Sequence, residues 1–227
     1  MNTKEYILHI DTSTKVCSVA LSKNGELVAF KDSGNDQYKH GEILTLFIDE
    51  LLKNAQVEMK DLTAVSVASG PGSYTGLRIG ASTAKGLCYA LKIPLIAIDS
   101  LSALFALLEK PATNVCSMID ARRMEVFSAI FDAEGNKIKD ISADILDEES
   151  YREFEPLLCI GDATNKMVDV WKDRNIQFQH EIDASAKGQV HLAFEKFKKE
   201  EFEDVAYFEP FYLKDFLAIP PKSQKIS

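Results

Sequence analysis

Residues 6–11, Tyr6-Ile7-Leu8-His9-Ile10-Asp11, form an apolar run that ends at an aspartate, and the polar turn Thr12-Ser13-Thr14-Lys15 follows it. An apolar run of this length, bounded by a turn, predicts a buried strand. Two further apolar segments, residues 16–21 and 27–31, flank Asn24-Gly25, the dipeptide typical of a β-hairpin turn. The chain is therefore predicted to begin with three strands, and the first of them ends at Asp11.

The same order of elements returns in the second half. Residues 115–119 are apolar and end at Asp120, residues 126–131 form the next apolar segment, and Gly135-Asn136 supplies a hairpin turn. Because both strand–turn–strand starts carry Asp at the same point, we expect two related α/β halves; one mixed α/β domain is the alternative. The predicted halves span residues 1–103 and 104–218. The polar, Pro-rich tail, residues 219–227, is predicted to be disordered.

Helices are predicted between the later strands. Apolar residues recur at steps of three and four from His40 to Ala55, the pattern of a helix with one apolar face. A strand over residues 64–68 leads into a glycine-rich loop and a helix over residues 77–91, and a strand over 93–98 follows. Gly76, Gly80 and Ala84 lie four residues apart, which gives that helix a small face suited to close packing, within the chain or against another chain. Further short helices are predicted over residues 167–171 and 190–197.

The composition excludes several classes of protein. The chain has 227 residues, 46% of them hydrophobic, and a net charge of −9, so it is long enough for a large core. An acidic chain is not expected to hold RNA by itself, because RNA-binding faces are basic. No segment approaches the roughly 20 apolar residues that cross a bilayer, and the start lacks the features of a signal peptide. A cytoplasmic protein that does not bind membranes is expected.

Cysteine and histidine patterns do not indicate a metal or redox site. The cysteines at 17, 88, 116 and 159 are widely spaced without a Cys-x-x-Cys pair, and we predict buried, reduced thiols. No histidine pair has metal-ligand spacing on a helix, and neither His-Glu-x-x-His nor Gly-x-Ser-x-Gly occurs. The glycine loop does not end in the Gly-Lys-Ser/Thr of a Walker A motif. No metal and no catalytic residue are predicted.

The two aspartate-tipped turns suggest a nucleotide cleft. Small residues let backbone N–H groups reach phosphate oxygens, and an Asp can hold a metal ion or water. Asp11, Thr12 and Ser13 are therefore candidates for binding ATP or ADP. The second turn, Asp120-Ala121-Arg122-Arg123, is less suitable because its arginines are bulky, although arginine pairs with phosphate or with a partner's carboxylate. The alternative is that both turns only join strands.

Three stretches carry a resemblance to a known family. They are residues 10–13, Ile-Asp-Thr-Ser; residues 69–80, Ser-Gly-Pro-Gly-Ser-Tyr-Thr-Gly-Leu-Arg-Ile-Gly; and residues 93–101, Ile-Pro-Leu-Ile-Ala-Ile-Asp-Ser-Leu. They closely resemble the TsaB (YeaZ) family, whose paralogue is TsaD. The likeness weakens after Leu107 and continues only at residues 118–122, 160–162 and 210–213. The resemblance implies a duplicated actin/sugar-kinase/Hsp70-like (ASKHA, ribonuclease H-like) two-domain α/β fold.

The resemblance also implies a role without chemistry of its own. TsaD is similar in sequence but has a His-x-x-x-His metal motif, and the corresponding residues here are Ser100 and Leu104. Leucine cannot ligate a metal ion, and a lone serine hydroxyl is a poor ligand. The chain is therefore expected to be a non-catalytic subunit of the complex that makes N6-threonylcarbamoyladenosine at tRNA position 37, with no cofactor of its own.

The resemblance implies a set of partners and a surface for them. Expected are a heterodimer with TsaD, the ATPase TsaE, a homodimer when the chain is alone, and contact with tRNA only through the complex. The helices over His40–Ala55 and residues 77–91 would form the interface. The predicted interface residues are His40, Leu44, Phe47, Ile48, Leu51, Gly76, Gly80, Thr83 and Ala84.

Two enzymatic hypotheses compete with this interpretation. A small nucleotide-dependent kinase or phosphohydrolase would use Asp11 and Asp120 and would turn over ATP in isolation. A glycoprotein endopeptidase, the older label of the family, would need metal ligands that the sequence lacks.

Overall fold

The computed structural model describes residues 4–33 and 39–213. The tail predicted over residues 219–227 lies outside the described residues. Within the described part, strands and helices alternate as the two halves of the sequence predict.

The first sheet has five strands. They are β1 (Tyr6–Asp11), β2 (Ser18–Lys23), β3 (Glu26–Asp32), β4 (Leu62–Gly70) and β5 (Leu95–Asp99), in the spatial order β3-β2-β1-β4-β5. The first three are antiparallel neighbours, whereas β4 and β5 run parallel to β1. The carboxyl ends of β1, β4 and β5 therefore meet at one edge, where ligand sites of α/β sheets lie.

The second sheet repeats the first. Its strands are β6 (Asn114–Asp120), β7 (Glu125–Phe131), β8 (Lys137–Ile145), β9 (Leu157–Ile160) and β10 (Ile176–Gln179), in the order β8-β7-β6-β9-β10. The pairing is again antiparallel for the first three and parallel for the last two. Two sheets of one topology confirm the duplicated actin/sugar-kinase/Hsp70-like fold, and the alternative of one mixed domain is wrong. The boundary at residues 103 and 104 stays a prediction.

Four α-helices cover the sheets: α1 (His40–Ala55), α2 (Tyr74–Leu91), α3 (Ser100–Phe105) and α4 (Gln189–Lys198). Helix α1 has the predicted bounds. Helix α2 begins before residue 77 because the Ser73 side chain accepts a hydrogen bond from the Gly76 N–H and caps the helix.

The central strands of the first sheet are buried on both faces. Alternate residues such as Leu8 and Ile10 pack with α1 and α2, while Ile7 and Ile96 on the other face pack with Ala193 of α4. Parallel strands such as β1, β4 and β5 need such cover on both faces. Helix α4 follows the whole second sheet in the chain, so the second half completes the core of the first.

One predicted helix is wrong. Residues 164–173 form a single 3-10 turn and irregular turns in place of a helix over 167–171. Met167 and Trp171 are fully buried at helical spacing, but Asp169 and Asp173 beside them are poor helix formers. Tertiary packing places these apolar residues: the Trp171 indole donates to the Asp147 carbonyl oxygen at 2.8 Å.

The cysteine prediction is confirmed for all four thiols, which are buried and without a disulfide. In the part of the chain that the structure describes, no helix is both long and apolar enough to span a bilayer.

Candidate functional site

The two aspartate-tipped turns face each other between the halves. The first follows β1 at Asp11 and the second follows β6 at Asp120. The Asp120 N–H donates to Asp162 at 2.8 Å, and the positive charge of Lys15, from the first turn, acts on both Asp162 and Asp183. The first turn therefore lies within electrostatic reach of the carboxylates beside the second turn, and a nucleotide cleft between them stays a prediction.

Neighbouring segments fill the first turn. The hydroxyl of Thr12 donates to the Gly76 carbonyl oxygen at 2.8 Å, and the N–H and hydroxyl of Ser13 donate to Asp11 Oδ1 at 2.9 and 2.7 Å. The Ser73 N–H donates to the Ser13 carbonyl oxygen at 2.6 Å. Asp11, Thr12 and Ser13 are all buried, so the groups that would meet a phosphate already have partners inside the chain.

The glycines of the loop and of α2 lie against this turn. A Cβ on Gly72 would overlap the carbonyl oxygen of Ser13, and one on Gly76 would overlap that of Thr12. A Cβ on Gly80 would overlap the Thr12 hydroxyl. Side chains at these positions would push the turn away, so glycine is required for the close approach. The small face of α2 therefore packs within the chain.

His40 closes the turn from a third side. It is the first residue of α1 and is buried. Its Nε2 donates to the Thr14 carbonyl oxygen at 2.8 Å. The His40 ring thus links α1 to the first turn. Because the ring is buried there, its role is structural and it is not exposed to a partner protein.

A buried chain of polar groups connects β1 with α4. Ser66 donates to Gln189 at 2.6 Å and accepts from His9 Nδ1 at 2.7 Å, while Ser22 bonds His9 Nε2 at 2.8 Å. Burial lowers the pKa of His9 to about 3, so the ring is neutral and its Nε2 accepts. The Gln189 amide then donates to the Ile10 carbonyl oxygen at 2.8 Å. This chain of bonds fixes α4 to the centre of the first sheet.

The carboxyl group of Asp11 is itself unusual. Burial raises its pKa, against the opposing effect of the hydrogen bonds from Ser13. Its Oδ2 accepts no hydrogen bond of normal geometry from the described residues. A buried carboxyl with a raised pKa is more readily neutral, which suits a structural group better than a ligand for Mg²⁺.

The second turn is built differently. Arg122 and Arg123 are two consecutive residues in the left-handed region, with φ of 74° and 52°, at a cost of roughly 1–2 kcal/mol each. Both side chains are exposed. Lys166 donates to Asp120 at 2.6 Å and to the Glu125 carbonyl oxygen at 2.6 Å, and the Arg122 N–H also donates to Asp120 at 2.6 Å. Asp120 is therefore paired with Lys166, and its hydrogen bond from the Arg122 N–H helps to fix the conformation of the turn.

Carboxylates dominate the rest of the cleft. Burial raises the pKa of Asp162 to about 6, and the charges of Asp120 and Asp183 add to the rise. A hollow of about 420 Å³ near Val16 is lined by Asp32, Glu181 and Asp183 against the single cation Lys187. Such a surface repels a nucleotide's phosphates. Across residues 4–33 and 39–213, no group of three His, Cys, Asp or Glu side chains is placed to hold a metal ion.

The predicted interface residues lie mostly inside the chain. Leu44, Ile48 and Leu51 pack onto the first sheet, and Phe47 is half-buried against the same core. On α2, Gly76, Gly80 and Ala84 are buried and Thr83 is half-buried. Most of these residues cover the chain's own sheet, as an amphipathic helix must, and their part in an interface with a partner stays a prediction.

A different set of residues is exposed on the two helices. Leu46 of α1 is 58% exposed and Tyr89 of α2 is 84% exposed. Gly86 is exposed in the interior of α2, and a Cβ there would meet no atom within 4 Å. We define Leu46, Gly86 and Tyr89 as the outer helix face. The sequence could have indicated Leu46, since it is an apolar residue on the polar side of an amphipathic helix.

The two residues that occupy the predicted metal-motif positions are buried. Ser100 begins α3 and Leu104 packs with Phe127 and Ile160 in the core of the second half. Leu104 is therefore a core residue, and its environment is apolar.

Comparisons with known proteins agree with this geometry. A protein-family model described as "TsaD: tRNA N6-adenosine threonylcarbamoyltransferase" matches residues 36–218. The chain is 27% identical over 223 residues to the tRNA threonylcarbamoyladenosine biosynthesis protein TsaB of Escherichia coli, covering 93% of this chain and 96% of that protein. It is 38% identical over 123 residues to TsaB of Haemophilus influenzae, covering 53% of this chain and 51% of that protein.

Solved structures show the same fold. An uncharacterized protein of Pseudomonas aeruginosa with similarity to peptidase YEAZ superposes with a TM-score of 0.79 at 25% identity, covering 92% of this chain and 100% of that one. YeaZ from Pseudomonas aeruginosa superposes with a TM-score of 0.77 at 24% identity and the same coverage.

Proposed function

Since the chain belongs to the TsaD family of proteins and, within it, to the TsaB (YeaZ) members that serve tRNA threonylcarbamoyladenosine biosynthesis, we propose that it is a non-catalytic subunit that binds and activates TsaD. In this role it supplies a surface to the partner and performs no transfer chemistry itself. The complex would act in the cytosol.

The outer helix face is the observation that carries the proposal. A glycine in a helix interior is less favourable than alanine by about 1 kcal/mol, and no contact with the described residues requires glycine at position 86. Glycine at this position would be explained if the backbone of a partner protein approached α2 closely there. Tyr89 and Leu46 add exposed aromatic and aliphatic surface, and such residues are typical of the centre of an interface.

Three features support a role without catalysis. The first turn is filled by Gly76 and Ser73, and the neighbouring hollow is acidic. Leu104 is a buried core residue where a metal-binding member of the family would need an imidazole. The kinase or phosphohydrolase hypothesis would require Asp11 to leave its buried position.

Co-purification with TsaD tests the proposal. We expect a stable pair for the unaltered chain, and a loss of pairing of at least tenfold for Leu46→Asp and for Tyr89→Ala. Val170→Asp is a matched control, because Val170 is an exposed apolar residue of the second half. Pairing that survives both helix variants would contradict the interface, and no pairing at all would contradict the proposed function.

Calorimetry with ATP and ADP separates the subunit from the enzyme hypotheses. We expect no binding to the isolated chain and no ATP turnover, with nucleotide binding only when TsaD is present. Turnover by the isolated chain that is lost in Asp11→Ala would favour the kinase or phosphohydrolase.

The remaining partners follow from the same role. We propose that TsaE joins the TsaD pair, that tRNA is bound through the complex, and that the chain forms a homodimer through the outer helix face when TsaD is absent. Isologous pairing of one surface would make the homodimer and heterodimer mutually exclusive. Addition of TsaD to the isolated chain should therefore replace the homodimer.

A further inference from the structure

The second turn places two arginines in succession in the left-handed region, and the described residues contain one other such pair. The hairpin between β2 and β3 also has two consecutive left-handed residues, and there they are Asn24 and Gly25, with φ of 52° and 84°. Asparagine and glycine adopt this conformation at little cost, whereas arginine does not. Arg122 and Arg123 are therefore unfavourable for the fold, and strain of this kind indicates a functional side chain.

Neither guanidinium has a task inside the described chain. Across residues 4–33 and 39–213, neither the Arg122 nor the Arg123 guanidinium makes an ion pair or a hydrogen bond. Of the two carboxylates that flank the arginines in sequence, Asp120 is bound by Lys166 and by the Arg122 N–H. The turn therefore presents two exposed positive charges on a chain whose net charge is −9.

Apolar surface adjoins the two arginines. Met124 is 43% exposed and Ile145 is 77% exposed. The two are brought together because the Leu146 N–H donates to the Met124 carbonyl oxygen at 3.0 Å. A pair of guanidiniums beside apolar side chains suits RNA, because arginine binds phosphate with two parallel hydrogen bonds and loop nucleotides offer unstacked bases.

We propose that the turn of Arg122 and Arg123 contacts the phosphate backbone of tRNA within the complex. The inference rests on the proposed function, which supplies the polyanion. The acidic remainder of the chain would repel RNA, so this turn would fix where the tRNA lies without providing binding by the isolated chain. Carboxylates of a partner protein are the alternative anion, and the experiment separates the two.

The experiment measures tRNA binding to the complex with TsaD as a function of salt. The variants are Arg122→Gln/Arg123→Gln and Arg122→Asn/Arg123→Gly. Arg152→Gln/Lys172→Gln removes two exposed charges from the same half as a control. We expect tRNA affinity to fall on the order of tenfold in both turn variants. The slope of log affinity against log salt should shrink by about 1–2, as for the loss of two phosphate contacts.

A melting curve of each variant shows whether a loss of tRNA binding arises from a loss of folding. The Asn-Gly variant removes the strain of both residues, so its melting temperature should rise by at least about 4 °C while its tRNA binding falls. Unchanged tRNA affinity and slope would overturn the inference. Loss of pairing with TsaD in the turn variants would also overturn it, in favour of protein carboxylates. If the unaltered chain fails to pair with TsaD, the proposed function falls and the inference falls with it.

Discussion

Gly76 of α2 lies so close to Thr12 that an added Cβ would overlap the Thr12 carbonyl oxygen, while the Thr12 hydroxyl donates to the Gly76 carbonyl oxygen at 2.8 Å. The helix and the first turn are therefore in direct backbone contact. We expect Gly76→Ala to destabilise the chain by about 1–3 kcal/mol, because the backbone oxygen cannot move aside as a side chain can. The helix preference of alanine, about 1 kcal/mol, only partly offsets this. Urea unfolding measures the change, and a stability equal to wild type would contradict the contact.

Gly86→Ala is the matched substitution on the exposed side of α2. It is expected to stabilise the chain, whereas Gly76→Ala is expected to destabilise it. Because a Cβ at Gly86 would lie in open space, the isolated chain should gain up to about 1 kcal/mol in its free energy of unfolding. Affinity for TsaD should fall by about tenfold, since the methyl group would hold the two backbones apart. Titration calorimetry measures this affinity. A more stable variant with unchanged affinity would show that the outer helix face is not the interface.

Asp162→Asn should change the pH dependence of stability. The pKa of Asp162 is raised by burial to about 6, so its ionisation opposes folding fully above that pH and not at all below about pH 4. Asparagine removes this penalty and keeps an oxygen for the Asp120 N–H. We expect the variant to be more stable than wild type by about 1–3 kcal/mol at pH 7.5 and equal to it at pH 4. Exposed Asp173→Asn controls for the loss of one charge; a gain at both pH values would argue against the ionisation of Asp162 as its cause.

Gln189→Ala should weaken the hold of α4 on the first sheet. It would leave the Ile10 carbonyl oxygen and the Ser66 hydroxyl without their buried partner, and each lost bond costs about 1–3 kcal/mol. Gln177→Ala, an exposed glutamine of β10, should change stability by less than about 0.5 kcal/mol. Guanidinium unfolding of both variants checks this, and equal effects would mean that the buried amide contributes nothing specific.

The sequence predicted most of the fold because its signals are local. The bounds of α1 follow from a strong 3.6-residue period, and the turn at Asn24-Gly25 follows from the residues that such a turn needs. The duplication was visible in the two aspartates that end β1 and β6. Residues 167–171 were misassigned because tertiary packing, which local spacing does not encode, places Met167 and Trp171.

The candidate site was predicted less well because it depends on contacts between distant residues. Spacing alone gives Gly76 and Gly80 a small face, but it does not say that Thr12 fills it. In the same way, the period of α1 places Leu44 and Ile48 on its apolar face. It does not show whether that face packs against the chain's own sheet or against a partner protein. The left-handed backbone conformation of Arg122 and Arg123 has no hydropathy pattern that would indicate it, so the sequence alone did not predict it.

Helix α4 has a consequence for how the molecule is made. Ala193 of α4 packs on Ile7 of β1 and Ile96 of β5. During translation, both strands are synthesised well before α4. One apolar side of the first sheet therefore stays uncovered until α4 has been synthesised and packs on it. The duplicated halves are therefore not independent folding units, and a gene fragment ending after β5 should yield an aggregation-prone product.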